Sequence, residues 1–302
     1  MSKTVKDILR KPQLLFITLG HLGWFNWMSD ERYLRIAYKA RLGKKLNLKN
    51  PLTYNEKLQW LKLYNRRPEY TQLVDKYEVK PIIAKIIGDD YIIPTIGVWD
   101  SFDDIDFNQL PQQFVLKCTH DSGGLVVCKD KSTLNIEKAK KRIDRCLKHS
   151  FFYAMREWPY KDVEPRIIAE QYMEDDQTHE LRDYKFFCFD GQVKALFIAT
   201  ERMKQGEETK FDFFDENFNH LPFTNGHPNA EVLPDKPVRF EEMKEIAAKL
   251  SKGIPHVRVD LYEVNGKVYF GEMTFFHWSG MTEFKPEEWD YRFGSWIKLP
   301  SR

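Results

Sequence analysis

Two acids near the carboxyl-terminal end of the chain stand where acids are costly. Asp260 lies in Val257-Arg258-Val259-Asp260-Leu261-Tyr262, and Glu272 lies in Val268-Tyr269-Phe270-Gly271-Glu272-Met273-Thr274. Both runs alternate as strands do, and Asn265-Gly266 between them is a strong hairpin signal. A carboxylate among apolar and aromatic residues needs a compensating partner. Whether the two acids share a face depends on the loop. A two-residue turn pairs Val264 with Lys267 and sets the acids on opposite faces. A three-residue loop with Gly266 as a left-handed bulge shifts the register by one and brings them together. Arg258 and Thr274 then join them, because side chains two apart share a face. Two hard oxygen ligands on a rigid hairpin suit Mg²⁺, which takes one or two carboxylates plus nucleotide phosphates. The plain alternative is a solvated hairpin, with Asp260 paired to Arg258 or a remote lysine. If the acids repel each other, Asp260→Asn abolishes metal-dependent turnover and leaves the fold as stable or more so.

Three upstream runs carry further chemistry. Phe114-Val115-Leu116-Lys117 leads into His120-Asp121-Ser122-Gly123-Gly124 and a second strand, Leu125 to Cys128. Glycines there let backbone N–H groups approach phosphate oxygens, and Lys117 adds charge. The lysine precedes the glycines and no helix follows at once, so this is not a P-loop; an ordinary hairpin turn is the competing reading. In Ala169-Glu170-Gln171-Tyr172-Met173, Glu170 suits the exocyclic amine of adenine while Tyr172 or Met173 lines the ring. In Arg182-Asp183-Tyr184-Lys185, Asp183 and Lys185 alternate onto one side of a strand, as a structural pair or as a phosphate contact.

In this order the runs resemble the ATP-grasp superfamily, and more closely the TupA-like ATP-grasp family of cell-surface polysaccharide and teichuronopeptide biosynthesis. The matching stretches run almost end to end. They include Thr53-Tyr54-Asn55-Glu56-Lys57-Leu58-Gln59-Trp60-Leu61-Lys62, Asp75-Lys76-Tyr77 and Glu157-Trp158-Pro159-Tyr160, besides the four runs above. The resemblance implies an α+β ATP-grasp fold, two α+β subdomains clamping ATP. It implies that Lys117 and Lys185 hold the phosphates under a mobile loop of Ser122, Gly123 and Gly124. Glu170, Gln171, Tyr172 and Met173 would hold adenine, and Asp183 would lie beside them. Asp260, Glu272 and Thr274 would bind Mg²⁺, Thr274 standing where many relatives carry Asn. Arg258 and Lys185 would serve the transferred group; Asp176 and Glu180 are candidates for the ribose. The implied reaction joins a carboxylate to an amine through an acyl phosphate, the acceptor being a uronic acid or another acidic sugar-polymer unit. A sugar kinase, a glycosyltransferase using a nucleotide sugar and a non-catalytic scaffold are the alternatives.

These residues need elements to hold them. Residues 1–74 read as a mainly helical region, and 75–302 as the catalytic region with a smaller lid at about 111–172. Leu58, Leu61 and Leu63 mark one helix, entered near Pro51 and Thr53, and Tyr70–Ile86 reads as a single helix. Asn135 caps a helix burying Ala139, Ile143 and Cys146, and Met243, Ile246, Ala247 and Leu250 mark another. Residues 204–237 read as a long loop or weak strands. His277-Trp278-Ser279-Gly280, just past the hairpin, is where acceptor selectivity is expected, although a lone His is more often structural.

Composition sets the outer bounds. The 302 residues are 42% hydrophobic and 30% charged, which fits a folded chain. The net charge of +2 gives no general affinity for polyanions, and no nucleic-acid partner is expected. Cys118, Cys128, Cys146 and Cys188 lack metal-ligand spacing and read as free thiols in a reducing cytosol. Leu14–Met28 is too short and too broken to span a membrane, a task needing roughly 20 apolar residues. It reads as a buried segment, or as a shallow contact of Trp24, Phe25 and Trp27 with the inner face of the membrane. Trp24, Trp27, Trp60 and Trp158 read as core or interface aromatics.

Overall fold

The amino-terminal part is helical, with α1 (Leu14–His21), α2 (Asp30–Leu42), α3 (Tyr54–Tyr64), α4 (Glu69–Val74) and α5 (Val79–Ile87). This computed structural model describes residues 13–121, 123–179, 181–201 and 208–301, so the expected sites Ser122 and Glu180 lie outside the described residues. Helix α3 begins with a complete capping box. Thr53 Oγ1 accepts from Glu56 N, and the Glu56 carboxylate accepts from Thr53 N. The single helix expected over Tyr70–Ile86 is two helices. Asp75 is extended (ψ 119°), and its Oδ1 accepts from Tyr77 N at 2.7 Å and Glu78 N at 3.1 Å. A carboxylate that bonds the amides two and three residues on competes with the helix ladder and ends it. The break turns Lys76 out toward the loop that follows Cys118, where its N–H donates to Thr119 O at 3.2 Å.

Two antiparallel sheets face each other. The smaller has the order β1-β4-β2-β3, built from β1 (Thr95–Trp99), β2 (Phe114–Cys118), β3 (Leu125–Cys128) and β4 (Ile167–Gln171). Its β1 lies upstream of residue 111. Helix α6 (Ile136–Leu147), capped by Asn135 Oδ1 on Lys138 N at 2.8 Å, covers one face. Phe114, Leu116, Ile143, Ile167 and Ala169 form a core of their own there.

The larger sheet has the order β11-β10-β5-β6-β7-β8. Its strands are β5 (Asp183–Phe189), β6 (Gln192–Thr200), β7 (Lys210–Asp215), β8 (His220–Leu221), β10 (Val257–Val264) and β11 (Lys267–Thr274). Residues 204–237, expected as a long loop or weak strands, therefore hold a buried six-residue strand. Asp212 hides it in the sequence, an acid with no exposed surface inside Phe211–Phe214. A short pair, β9 (Thr224–Asn225) with β12 (Phe284–Lys285), closes the end beyond β8. Helix α7 (Phe240–Leu250), helices α3–α5 and helix α8 (Glu288–Trp296) pack with the sheet in one shared core. Phe186, Phe187 and Phe213 have no exposed surface; each contributes roughly 1.5–3 kcal/mol by burial.

The acid-bearing hairpin resolves its register in a way the sequence did not suggest. Asn265 (φ 51°) and Gly266 (φ 73°) make a two-residue turn, and Val264 pairs with Lys267. That register alone would part the acids. The ladder then slips by one residue at Gly271, so that Asp260 stands directly opposite Glu272 and Arg258 opposite Thr274. The bulge is therefore in the strand, not in the loop. Only glycine fits it: a Cβ at Gly271 would lie 2.9 Å from Asp260 O and 3.0 Å from the Tyr262 ring.

The segment expected to be buried, Leu14–Met28, is so only in part. Ile17, Gly20 and Met28 face inward, whereas Leu22, Trp24 and Trp27 are 66–74% exposed. Trp24 and Trp27 are thus not core residues; Trp60 is. Among the described residues no helix is long and apolar enough to cross a membrane.

Candidate active site

A cleft of about 460 Å³ lies between the two sheets. On the larger sheet one row of paired residues crosses four strands: Glu272, Asp260, Lys185 and Phe197. Asp260 has no exposed surface, and both of its oxygens are used. Arg258 donates Nε to Oδ1 and Nη2 to Oδ2, each at 2.7 Å, and Lys185 Nζ donates to Oδ2. Lys185 also lies 3.3 Å from Asp183 Oδ1. Glu272 is the more open acid, its side chain 40% exposed and 3.5 Å from Arg258 Nη2. Burial pushes its carboxyl upward, but the Lys185, Lys76 and Arg258 cations outweigh that and hold it at about 2. For Arg258, burial opposes the charge, and Asp260 and then Glu272 more than offset it, raising its pKa.

Arg258 is fixed from behind. Its Nη2 donates to Thr274 Oγ1 at 3.0 Å and its Nη1 to His277 Nδ1 at 2.7 Å. Arginine only donates, so His277 Nδ1 accepts and its Nε2–H donates to Asn225 Oδ1 at 3.0 Å. Burial, then the nearby Arg258 charge, holds the His277 pKa well below the ordinary range. His277 is thus a neutral buttress of Arg258 rather than an acceptor contact. Thr274 is bonded to Arg258 and lies 3.5 Å from Glu272 Oε1.

The opposite wall belongs to the smaller sheet. Lys117 on β2 and Lys80 on α5 each approach Glu170 to 2.5 Å, one on each carboxylate oxygen. Burial raises the Glu170 pKa, yet Lys117 and Lys80 together bring it below its usual value. Glu170 therefore positions Lys117. The Gly123 and Gly124 amides, expected at phosphate, donate to Asp121 Oδ1 at 3.0 and 2.9 Å, and Lys76 Nζ donates to Asp121 O. Gln171, Tyr172 and Met173 line the cleft below β4, with Gln171 N bonded to Pro94 O at 3.1 Å. The chain beyond them is tied to the hairpin tip: Asp175 Oδ2 accepts from Asn265 N at 2.8 Å, and Asp176 N donates to Asn265 Oδ1 at 2.9 Å.

The expected residues thus fall into two groups. Lys117, Gly124, Glu170–Met173, Asp183, Lys185 and Glu272 line the cleft, whereas Arg258, Asp260 and Thr274 stand behind Glu272. Lys80 and Asn225 went unread, since nothing in their local sequence marks them. A stripe on α3 did carry a signal. Asn55, Gln59 and Lys62 recur at helical spacing among leucines and are all buried. Asn55 bonds Asp290, while Gln59 Nε2 and Lys62 Nζ grip Ser279 O at 2.9 and 2.8 Å.

Among the described residues no three His, Cys, Asp or Glu gather into a ready-made metal cage. Glu272, the open acid that lines the cleft beside Lys185, is instead the hard oxygen donor that fits Mg²⁺ bound together with a nucleotide, whereas the Asp260 oxygens expected on the metal are taken by Arg258 and Lys185.

A family profile described as TupA-like ATPgrasp matches residues 56–298. No curated protein matches the chain. Among solved structures, an L-amino acid ligase from Bacillus licheniformis shares 13% identity over 82% of this chain and 55% of its own, with a TM-score of 0.45. A D-alanine–D-alanine ligase from Bacillus anthracis complexed with ATP shares 16% over 68% of this chain and 55% of its own, with a TM-score of 0.38. The ATP-grasp ligase PsnB, complexed with minimal precursor, Mg and ADP, shares 9% over 81% and 62%, with a TM-score of 0.39. The chain spans little more than half the length of the first two.

Proposed function

The chain belongs to the TupA-like ATP-grasp family, and on that premise we propose that it is an ATP- and Mg²⁺-dependent carboxylate–amine ligase. The acceptor carboxylate attacks the γ-phosphorus of ATP; a new C–O–P link forms, the bond to the β-phosphate oxygen breaks, and ADP leaves. An amine nitrogen then attacks the acyl carbon, the C–O bond to phosphate breaks, and an amide, phosphate and a proton result. The observation that carries this reading is the facing pair of walls. Lys117 is braced by Glu170 on one, and Lys185 is braced by Asp260 beside Glu272 on the other.

Lys117 and Lys185 bind the phosphates, and Arg258, held by Asp260, Thr274 and His277 behind Glu272, adds positive charge beneath the site where the carboxylate reacts. Mg²⁺, held on Glu272, would supply charge neutralisation across the phosphates. The backbone at Gln171–Met173 receives adenine, and the smaller sheet acts as the lid that excludes water. The acceptor is a uronic acid or a related acidic sugar unit, and the amine is an amino acid or a small amine.

Hydroxylamine tests the reaction. With ATP, Mg²⁺ and a uronic acid, a hydroxamate and stoichiometric ADP are expected; ADP with a stable phosphosugar instead would make the protein a kinase. We further propose that exposed Trp24 and Trp27 rest shallowly on the inner membrane face. Vesicles containing anionic lipid should then blue-shift the tryptophan emission, and a spectrum that does not move would remove the membrane.

A further inference from the structure

Past the acid-bearing hairpin the backbone does something costly. Trp278 (φ 49°, ψ 28°) and Ser279 (φ 55°, ψ 17°) are consecutive non-glycine residues in the left-handed region, followed by Gly280 at φ 59°. A non-glycine residue held there is strained and persists only when its surroundings over-determine it. The surroundings do so with buried polar groups that the proposed reaction does not use. Lys62, with no exposed surface, donates to Ser279 O, and Gln59 donates to both Ser279 O and Gly280 O at 2.9 Å. Ser279 Oγ donates to Glu157, itself 5% exposed. Space is cut away as well: a Cβ at Gly226 would lie 2.7 Å from Trp278 Nε1.

The outcome of this clamp is one exposed ring. Trp278 is 42% exposed although a tryptophan could be buried at little cost beside so aromatic a core. It stacks at 23° on Phe211, with centroids 6.1 Å apart, and His227 flanks it at 5.8 Å. Phe211 is the strand partner of Ala199, which lines the cleft, so the ring stands over the same sheet face as Lys185 and Asp260. The residue before it, His277, buttresses Arg258. A strained, rigidly backed indole, one residue from the His277 that holds Arg258, presents a partly exposed apolar ring flanked by His227 and His277. That combination matches the C–H face of a pyranose, whose rim of hydroxyls needs polar partners.

We propose that Trp278 is the platform on which the acceptor's sugar ring stacks, setting its carboxylate toward the cleft wall that bears Lys185. This rests on the acceptor reading given above, and the tests separate the two. Saturation-transfer NMR with digalacturonate and with glucuronate, in the presence of ADP and Mg²⁺, reads ring contact without needing turnover. The wild type should saturate protons of one ring face. Trp278→Ala should lose the effect and Trp278→Phe should keep most of it, while the ADP–Mg²⁺ thermal shift stays unchanged in both. In hydroxamate trapping, Trp278→Ala should raise the acceptor KM roughly tenfold and leave the ATP KM alone. No saturation transfer to the wild type, or an equal effect in Trp278→Ala, overturns the platform. Ring contact without any hydroxamate would keep the platform and overturn the ligase.

Discussion

At the scale of single residues, the chemistry rests on charges that are already paired. Asp260 shows the consequence. Repulsion from Glu272 would make Asp260→Asn neutral or stabilising, but the structure reverses that sign. Asp260 accepts from both Arg258 and Lys185, so its loss strands two cations at a cost of about 3 kcal/mol. Denaturant midpoints should fall together with metal-dependent turnover; a midpoint at or above the wild type would mean that the pairs contribute nothing. Lys185→Met should weaken ATP by roughly tenfold or more, the worth of a charge-assisted bond, and leave adenosine nearly untouched. Equal losses for both would remove Lys185 from the phosphates.

Two acid-sensitive windows follow from buried groups. His256 is 2% exposed; its Nδ1–H donates to Cys188 O, leaving Nε2 to accept from Tyr54 Oη. Burial brings it down from 6.5 to about 3. The unfolded chain therefore binds a proton that the native state refuses, and stability present above 6.5 is lost as pH falls toward 3. Glu272, depressed from 4.5 to about 2, adds a lower window in which stability is lost between those values. Urea midpoints should decline from pH 6.5 downward, and less steeply in His256→Gln. An unchanged slope in that variant would clear His256.

At the scale of elements, the hairpin bulge decides whether there is a site. Gly271→Ala leaves the Asn265-Gly266 turn intact yet presses a methyl against Asp260 O. Turnover should fall at least about a hundredfold, with stability down by about 1–3 kcal/mol; near-normal turnover would show that the register tolerates the change. The helices around Leu58–Leu61, Ala139–Cys146 and Met243–Leu250, the hairpin at Asn265-Gly266 and the order of the chemical runs were legible because each follows from local periodicity or turn chemistry. The bulge was not, since only the strand opposite reveals that Gly271 has no room. The break at Asp75 escaped because its cause is one side chain bonding the amides of Tyr77 and Glu78. Strand β7 was legible only as one of two alternatives, loop or weak strand, because Asp212 interrupts its apolar pattern. The buried stripe Asn55–Gln59–Lys62 was legible as spacing, but its purpose lies more than two hundred residues away, at Ser279.

At the scale of the whole molecule, two cores of unequal size sit on either side of the cleft. The smaller one has less buried surface to resist opening, so β2, β3 and β4 should exchange amide protons through a local opening. The core of β5, β6 and β10 should exchange only by global unfolding. ADP with Mg²⁺ should slow the smaller sheet more than the larger, and uniform protection across both would mean that they open as one unit.

The cleft also has a field, and it is close to flat. Its wall carries Lys76, Lys117, Lys129, Arg182 and Lys185 against Asp121, Glu170, Glu174, Asp183 and Glu272: five cations, five anions and a sum of zero. A balanced wall casts no long-range pull on a polyanion, so capture of the nucleotide is governed by diffusion and fit rather than by steering. Its association rate should therefore change by no more than about twofold between low and high salt, where a net-positive funnel would lose far more to screening.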